Sequence, residues 1–143
     1  MDEGHGDMCE RATDLGSLME GGMMMAEPGV LPATGDEDWF RIDFPANPAM
    51  STPGGGMPAI DFAMNGGDAF RFEVRSTCTN TLGCGDGTSA RDMDSWSFVD
   101  DQSMEGEEQW STRDVPWPDA AVIRVYRPVG VGDCQRYQLR VTR

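Results

Sequence analysis

Apolar residues recur at every second position in four stretches of the chain. In Trp39-Phe40-Arg41-Ile42-Asp43-Phe44, the residues Phe40, Ile42 and Phe44 share one parity. That period puts alternate side chains on opposite faces of an extended strand, so the three face one way. In Asp68 to Arg75, Phe70, Phe72 and Val74 alternate with Arg71, Glu73 and Arg75. Ala121, Ile123 and Val125 share a face, as do Tyr137, Leu139 and Val141 near the end of the sequence. Weaker strand patterns cover Thr13 to Met19, Val30 to Thr34, Ala59 to Met64, Ser95 to Val99 and Glu108 to Ser111. Glycine and proline clusters separate them, because Gly supplies positive φ and Pro fixes φ at turn positions. Asn65-Gly66-Gly67 predicts a hairpin joining the strand near Ile60 to the one near Phe72. Strands that are apolar on one face must bury that face against another sheet. The expected fold is therefore all-β: a jelly-roll-like β-sandwich of about eight or nine short antiparallel strands. Residues 1–11 read as an acidic tail and residues 12–143 as a single β-sandwich domain.

Charge narrows the function. The chain of 143 residues has 25 acidic side chains against 11 basic ones, all arginine, for a net charge of −14. A nucleic-acid binder or a protein docking on anionic lipid needs the opposite balance. Apolar runs such as Met23-Met24-Met25-Ala26 fall far short of the ~18 residues of a membrane span. The opening MDEGHGDMCE has no apolar stretch of the signal-peptide kind. G-x-S-x-G, P-loop and H-E-x-x-H motifs are absent, and the lone histidine, His5, lies in the acidic N-terminal segment. The expected class is not an enzyme.

Cys9, Cys78, Cys84 and Cys134 make an even number, which suits two disulfides in an oxidising compartment. The alternatives are reduced buried thiols or a zinc site, the latter disfavoured by the lack of a C-x-x-C pair. Cys78 and Cys84 flank a short glycine-containing loop and are expected to bridge it. Cys9 precedes the first strand and Cys134 opens the last, so they are expected to pair if those strands are neighbours.

Ala12 to Leu18, Gly35-Asp36-Glu37-Asp38-Trp39-Phe40-Arg41-Ile42-Asp43-Phe44, and Arg136-Tyr137-Gln138-Leu139-Arg140-Val141 together resemble the bacterial pre-peptidase C-terminal domain family. The D-x-D-W-F strand opening is the most specific element, and the resemblance covers residues 10–143. It departs from the family in the Pro48 to Pro58 loop and in an acidic insertion from Arg91 to Pro118. It implies a non-catalytic extracellular accessory or adhesive module, secreted or at the cell surface. The expected partner is an extracellular protein or a polysaccharide. A structural subunit binding copies of itself through its N-terminal segment is the alternative. Related modules hold calcium near this strand, and by resemblance Asp36 and Asp38 match that motif, with Glu10 matching loosely. Calcium wants six to eight hard oxygens, which the acidic segments offer, although solvated surface carboxylates explain the same residues. Asp86 is a further candidate, without an EF-hand loop around it.

Met19 to Met25 offers soft thioethers suited to copper(I). With no second soft cluster nearby, the expected reading is a strand or loop laying methionines on the core. Trp110 and Trp117, the latter between Pro116 and Pro118, are candidates for stacking on a sugar ring or a partner. Trp96 and Phe98 alternate as core residues do.

Overall fold

The computed structural model describes residues 5–19, 21–31, 35–45, 59–75, 77–79, 93–97, 120–128 and 135–143. Among these the chain is built of strands and short turns of 3-10 helix. The strands are β1 Thr13–Ser17, β2 Met23–Met25, β3 Gly29–Val30, β4 Glu37–Asp43, β5 Ala59–Asn65, β6 Arg71–Arg75, β7 Ser95–Ser97, β8 Ala120–Tyr126 and β9 Arg136–Thr142. They form a sheet in the order β1-β4-β8-β6 and a second in the order β2-β9-β5-β7, with β3 also on β9. The all-β expectation is met. The pattern at Glu108 to Ser111 lies outside the described residues, whereas β2 is a strand that the alternation did not single out.

The period-two residues form the interior. Phe40 and Ile42 of β4, Phe72 and Val74 of β6, and Ile123 and Val125 of β8 are fully buried. So are Tyr137, Leu139 and Val141 of β9, and all join one apolar cluster. Aromatic rings cross between the sheets: Phe62 meets Phe72 at 5.4 Å and Tyr137 meets Phe40 at 6.4 Å, both edge-on. Such edge-to-face pairs place a ring's positive edge on a negative face, contributing about 0.5–1.5 kcal/mol each beyond area burial.

Two topological expectations are overturned. The strands are not all antiparallel, because β1 runs parallel to β4 with Thr13 opposite Phe40. Asn65-Gly66-Gly67 does not make a hairpin. β5 pairs with β7 and β9 while β6 pairs with β8, so this segment carries the chain from one sheet to the other. A 3-10 turn at Gly66–Asp68 makes the corner, with Gly67 at φ +63°. The Asn65 side chain spans it, accepting from the Phe70 N–H at 3.0 Å and donating to the Phe70 carbonyl at 3.1 Å. A Cβ on Gly66 would stand 2.8 Å from the Arg136 carbonyl oxygen, so the corner also needs glycine for close approach to β9.

The disulfide differs too. Cys9 bonds to Cys78, a sequence separation of 69 residues, and not to Cys134; Cys78 is correspondingly not bonded to Cys84. The premise of the Cys9–Cys134 expectation fails, since β1 and β9 belong to different sheets. The bridge instead joins the segment before β1 to the segment after β6, the two edges of one sheet. Cys84 and Cys134 lie outside the described residues.

Candidate functional site

Asp38 occupies the inward parity of β4, with Phe40 and Ile42, and is 3% exposed. Its carboxylate accepts a hydrogen bond from the Tyr137 hydroxyl across the interior. A buried carboxylate is costly unless donors surround it, and a buried tyrosine hydroxyl needs a partner, so each satisfies the other. Phe70 lies beside this pair, its ring 5.1 Å from that of Tyr137. The guanidinium of Arg127, also buried, lies 5.7 Å from the Phe70 ring and donates to the Leu31 carbonyl at 2.9 Å. Gly29 leaves room for Tyr137: a Cβ there would stand 2.6 Å from its ring.

The other acidic candidates lie elsewhere on the molecule's exposure scale. Asp36 is exposed just before β4, and Glu10 is exposed in the 3-10 turn Cys9–Arg11. Among the described residues no group of three or more His, Cys, Asp or Glu is arranged to hold one metal ion. Of Glu10, Asp36 and Asp38, Asp38 alone is buried. Trp110, Trp117 and Asp86 lie outside the described residues.

The outward parity of β4, β6 and β8 builds a charged and aromatic layer that the alternation alone did not single out. Trp39, Arg124 and Glu73 stand side by side across the sheet. Arg124 Nε donates to Glu37 Oε2 at 2.6 Å and Nη1 to Glu73 Oε1 at 3.3 Å. Arg75 Nη2 donates to the same Glu73 oxygen at 2.6 Å. The Arg75 guanidinium lies 5.4 Å from the Trp39 ring, and that of Arg124 lies 4.6 Å from Tyr126. Trp39 Nε1 donates to Glu37 Oε1 at 2.8 Å, closing the network. Burial disfavours the charge on Arg124, but the hydrogen bond and charge of Glu37, followed by those of Glu73, outweigh it and raise its pKa. The sequence signal was present in Arg71-Glu73-Arg75, alternating charges on one strand face beside another such face.

The N-terminal segment pairs with β4 of the same sheet through the backbone. Trp39 N–H donates to the Gly6 carbonyl at 2.6 Å, and Gly6 N–H donates to Thr13 Oγ1 at 3.0 Å. The His5 ring meets that of Phe40 at a tilt of 57° with centroids 4.8 Å apart, and its Nε2 lies 2.9 Å from the Glu27 carbonyl oxygen. Residues 7–12 thus form an excursion between Gly6 and Thr13, and Cys9 within it reaches Cys78. Arg75 Nη1 donates to the Cys78 carbonyl at 2.8 Å, which ties the bridge back to the charged layer. Trp39 is left 7% exposed.

The opposite sheet presents a plainer outer face. Arg140 of β9 donates twice to Asp61 of β5, at 2.8 and 2.6 Å. The hydrogen bond and charge of Asp61 raise the Arg140 pKa. On β2, Met25 opposite Arg140 and Met23 opposite Thr142 are exposed, contrary to the expectation that the methionines lie on the core; Met24 alone of the three packs inward. No helix among the described residues is long and apolar enough to cross a membrane. Searches of protein-family models, of curated proteins and of solved structures find no match to this chain.

Proposed function

We propose that the chain is a non-catalytic extracellular recognition module, a β-sandwich resembling pre-peptidase C-terminal domains. The Cys9–Cys78 disulfide carries this reading. Disulfides persist in oxidising compartments, and this one closes a long loop that ties the N-terminal segment to the far edge of a sheet. The contacts of that segment favour a module over a subunit that docks through the same residues. His5 and Gly6 already pack against Phe40 and Trp39 of their own chain. The partner class is an extracellular protein or a polysaccharide, met by an outer sheet face.

Non-reducing peptide mapping of protein produced in an oxidising compartment tests the first half. Cys9 and Cys78 should appear in one linked peptide, and free thiols at both would reject the exported reading. Co-sedimentation with fibrillar collagen and with insoluble cellulose, chitin and xylan tests the second. Retention on one matrix that salt or soluble competitor reverses supports a recognition module. A protein that stays in solution with all of them while forming concentration-dependent polymers in light scattering supports the subunit.

A further inference from the structure

Every large apolar side chain exposed among the described residues is a methionine: Met8, Met19, Met23, Met25 and Met64. Three of them cluster in the sequence from Met19 to Met25. Met23 and Met25 are 58% and 47% exposed and stand two positions apart on β2. Their side chains therefore leave the same outer face, about 7 Å apart along the strand. Met24 between them packs on the apolar cluster, which fixes that orientation. β2 is an edge strand held by β9, with Thr142 opposite Met23 and Arg140 opposite Met25. Arg140 is drawn toward β5 by its two bonds to Asp61, away from the methionine strip.

Met19 opens the turn before β2. Gly22 N–H donates to the Met19 carbonyl at 2.9 Å, doubling the chain back. Gly21 takes φ +83°, and a Cβ on Gly22 would stand 2.9 Å from the Met19 oxygen. Both glycines are thus needed in the turn that leads from Met19, 61% exposed, into β2.

Leucine or isoleucine would give these positions the same apolar area. What methionine adds is a neutral, polarisable thioether, a ligand that favours Cu(I) over the hard cations calcium and magnesium. The unbranched side chain has three rotatable bonds, so neighbouring sulfurs can converge on one ion. A net charge of −14 draws cations toward the surface without competing for the soft position. We propose that Met19, Met23 and Met25 form a thioether site for one monovalent soft metal ion, Cu(I), at the edge of the second sheet.

Methyl-13C-methionine NMR with Ag(I), a diamagnetic stand-in for Cu(I), tests this residue by residue, because Met8 lies in the segment before β1 and Met64 lies on β5, with β9 between it and β2. The methyl signals of Met19, Met23 and Met25 should move together and saturate, while those of Met8 and Met64 stay. In anaerobic competition with bicinchoninate for Cu(I), the Met23→Leu/Met25→Leu double variant should weaken binding by about tenfold or more. Met64→Leu should bind as the parent does. Leucine conserves volume at these exposed positions, and an unchanged circular dichroism spectrum confirms the fold. The proposal is overturned if all five exposed methionines move in parallel without saturating, if none moves, or if the double variant retains the parent's affinity.

Discussion

Removing the Cys9–Cys78 bridge should destabilise the protein by an amount fixed by the loop it closes. The separation is 69 residues. Chain-entropy loss in the unfolded state scales with the logarithm of that length, giving about 4 kcal/mol at 25 °C. For a domain of this size each kcal/mol corresponds to about 2–4 °C, so the melting temperature should fall by roughly 8–16 °C. Cys9→Ser, Cys78→Ser and the double variant should all lose the same amount, because each removes the same single constraint. Urea and thermal unfolding under non-reducing conditions, followed by circular dichroism, measure the three. Had Cys78 paired with Cys84 and Cys9 with Cys134, two separate loops would open. The short one would cost about 2 kcal/mol and the long one about 5 kcal/mol, and the double variant would lose their sum. Unequal single losses that add would therefore refute the pairing.

Tyr137→Phe should cost about 1–3 kcal/mol in urea unfolding, since it leaves the Asp38 carboxylate in the interior without the hydroxyl it accepts from. A change within error would mean that other donors satisfy Asp38 fully. Gly29→Ala should cost about 1–3 kcal/mol by overpacking, because the new methyl meets the fully buried Tyr137 ring. Should Gly29→Ala be neutral, the ring has room to shift and the close approach of β3 to β9 is not a constraint. Asp38→Ala should lower the melting temperature in chelator as well as in millimolar calcium, because it removes the carboxylate that accepts from the buried Tyr137 hydroxyl regardless of any cation. A loss seen with calcium present and not in chelator would instead assign Asp38 to a cation shell.

Alternation located the interior because burial on one sheet face is a local property of a strand. Phe40, Ile42, Phe72, Val74, Ile123, Val125, Leu139 and Val141 were all readable in that way, and all are buried. Which strand pairs with which was not readable, since pairing is settled by contacts between residues far apart in sequence. The Asn65-Gly66-Gly67 segment shows the difference. Its glycines announce a reversal, but a turn between adjacent strands and a corner between sheets need the same residues. The parallel β1 and the Cys9–Cys78 bridge were hidden for that reason too. Asp38 is a different case, because its parity with Phe40 and Ile42 already pointed inward. The acidic run around it favoured a solvent-facing ligand, and the hydroxyl of Tyr137, on the inward parity of β9, was the signal for its true partner. Met23 and Met25 escaped because three consecutive methionines carry no alternation to read.

The two outer sheet faces differ in what a ligand would have to undo. On the first, the Trp39 ring is roofed by Arg75, whose guanidinium is held by Glu73 and by the Cys78 carbonyl. Glu73 is buried and shared with Arg124, which in turn holds Glu37. A partner stacking on Trp39 must displace Arg75 and leave Glu73 short of one charge in a site of low exposure, a loss comparable to breaking a buried ion pair. The excursion that contains Cys9 is moreover tethered from one edge of this sheet to the other. On the second face, the Arg140–Asp61 pair is more than one-third exposed on both sides and is screened by solvent. Its methionine neighbours already stand in water. Docking there requires no buried charge to be uncovered, and covering exposed thioethers removes apolar surface from water. By this comparison, covering the β2–β9–β5 face would cost less than covering the charged layer of β4, β8 and β6.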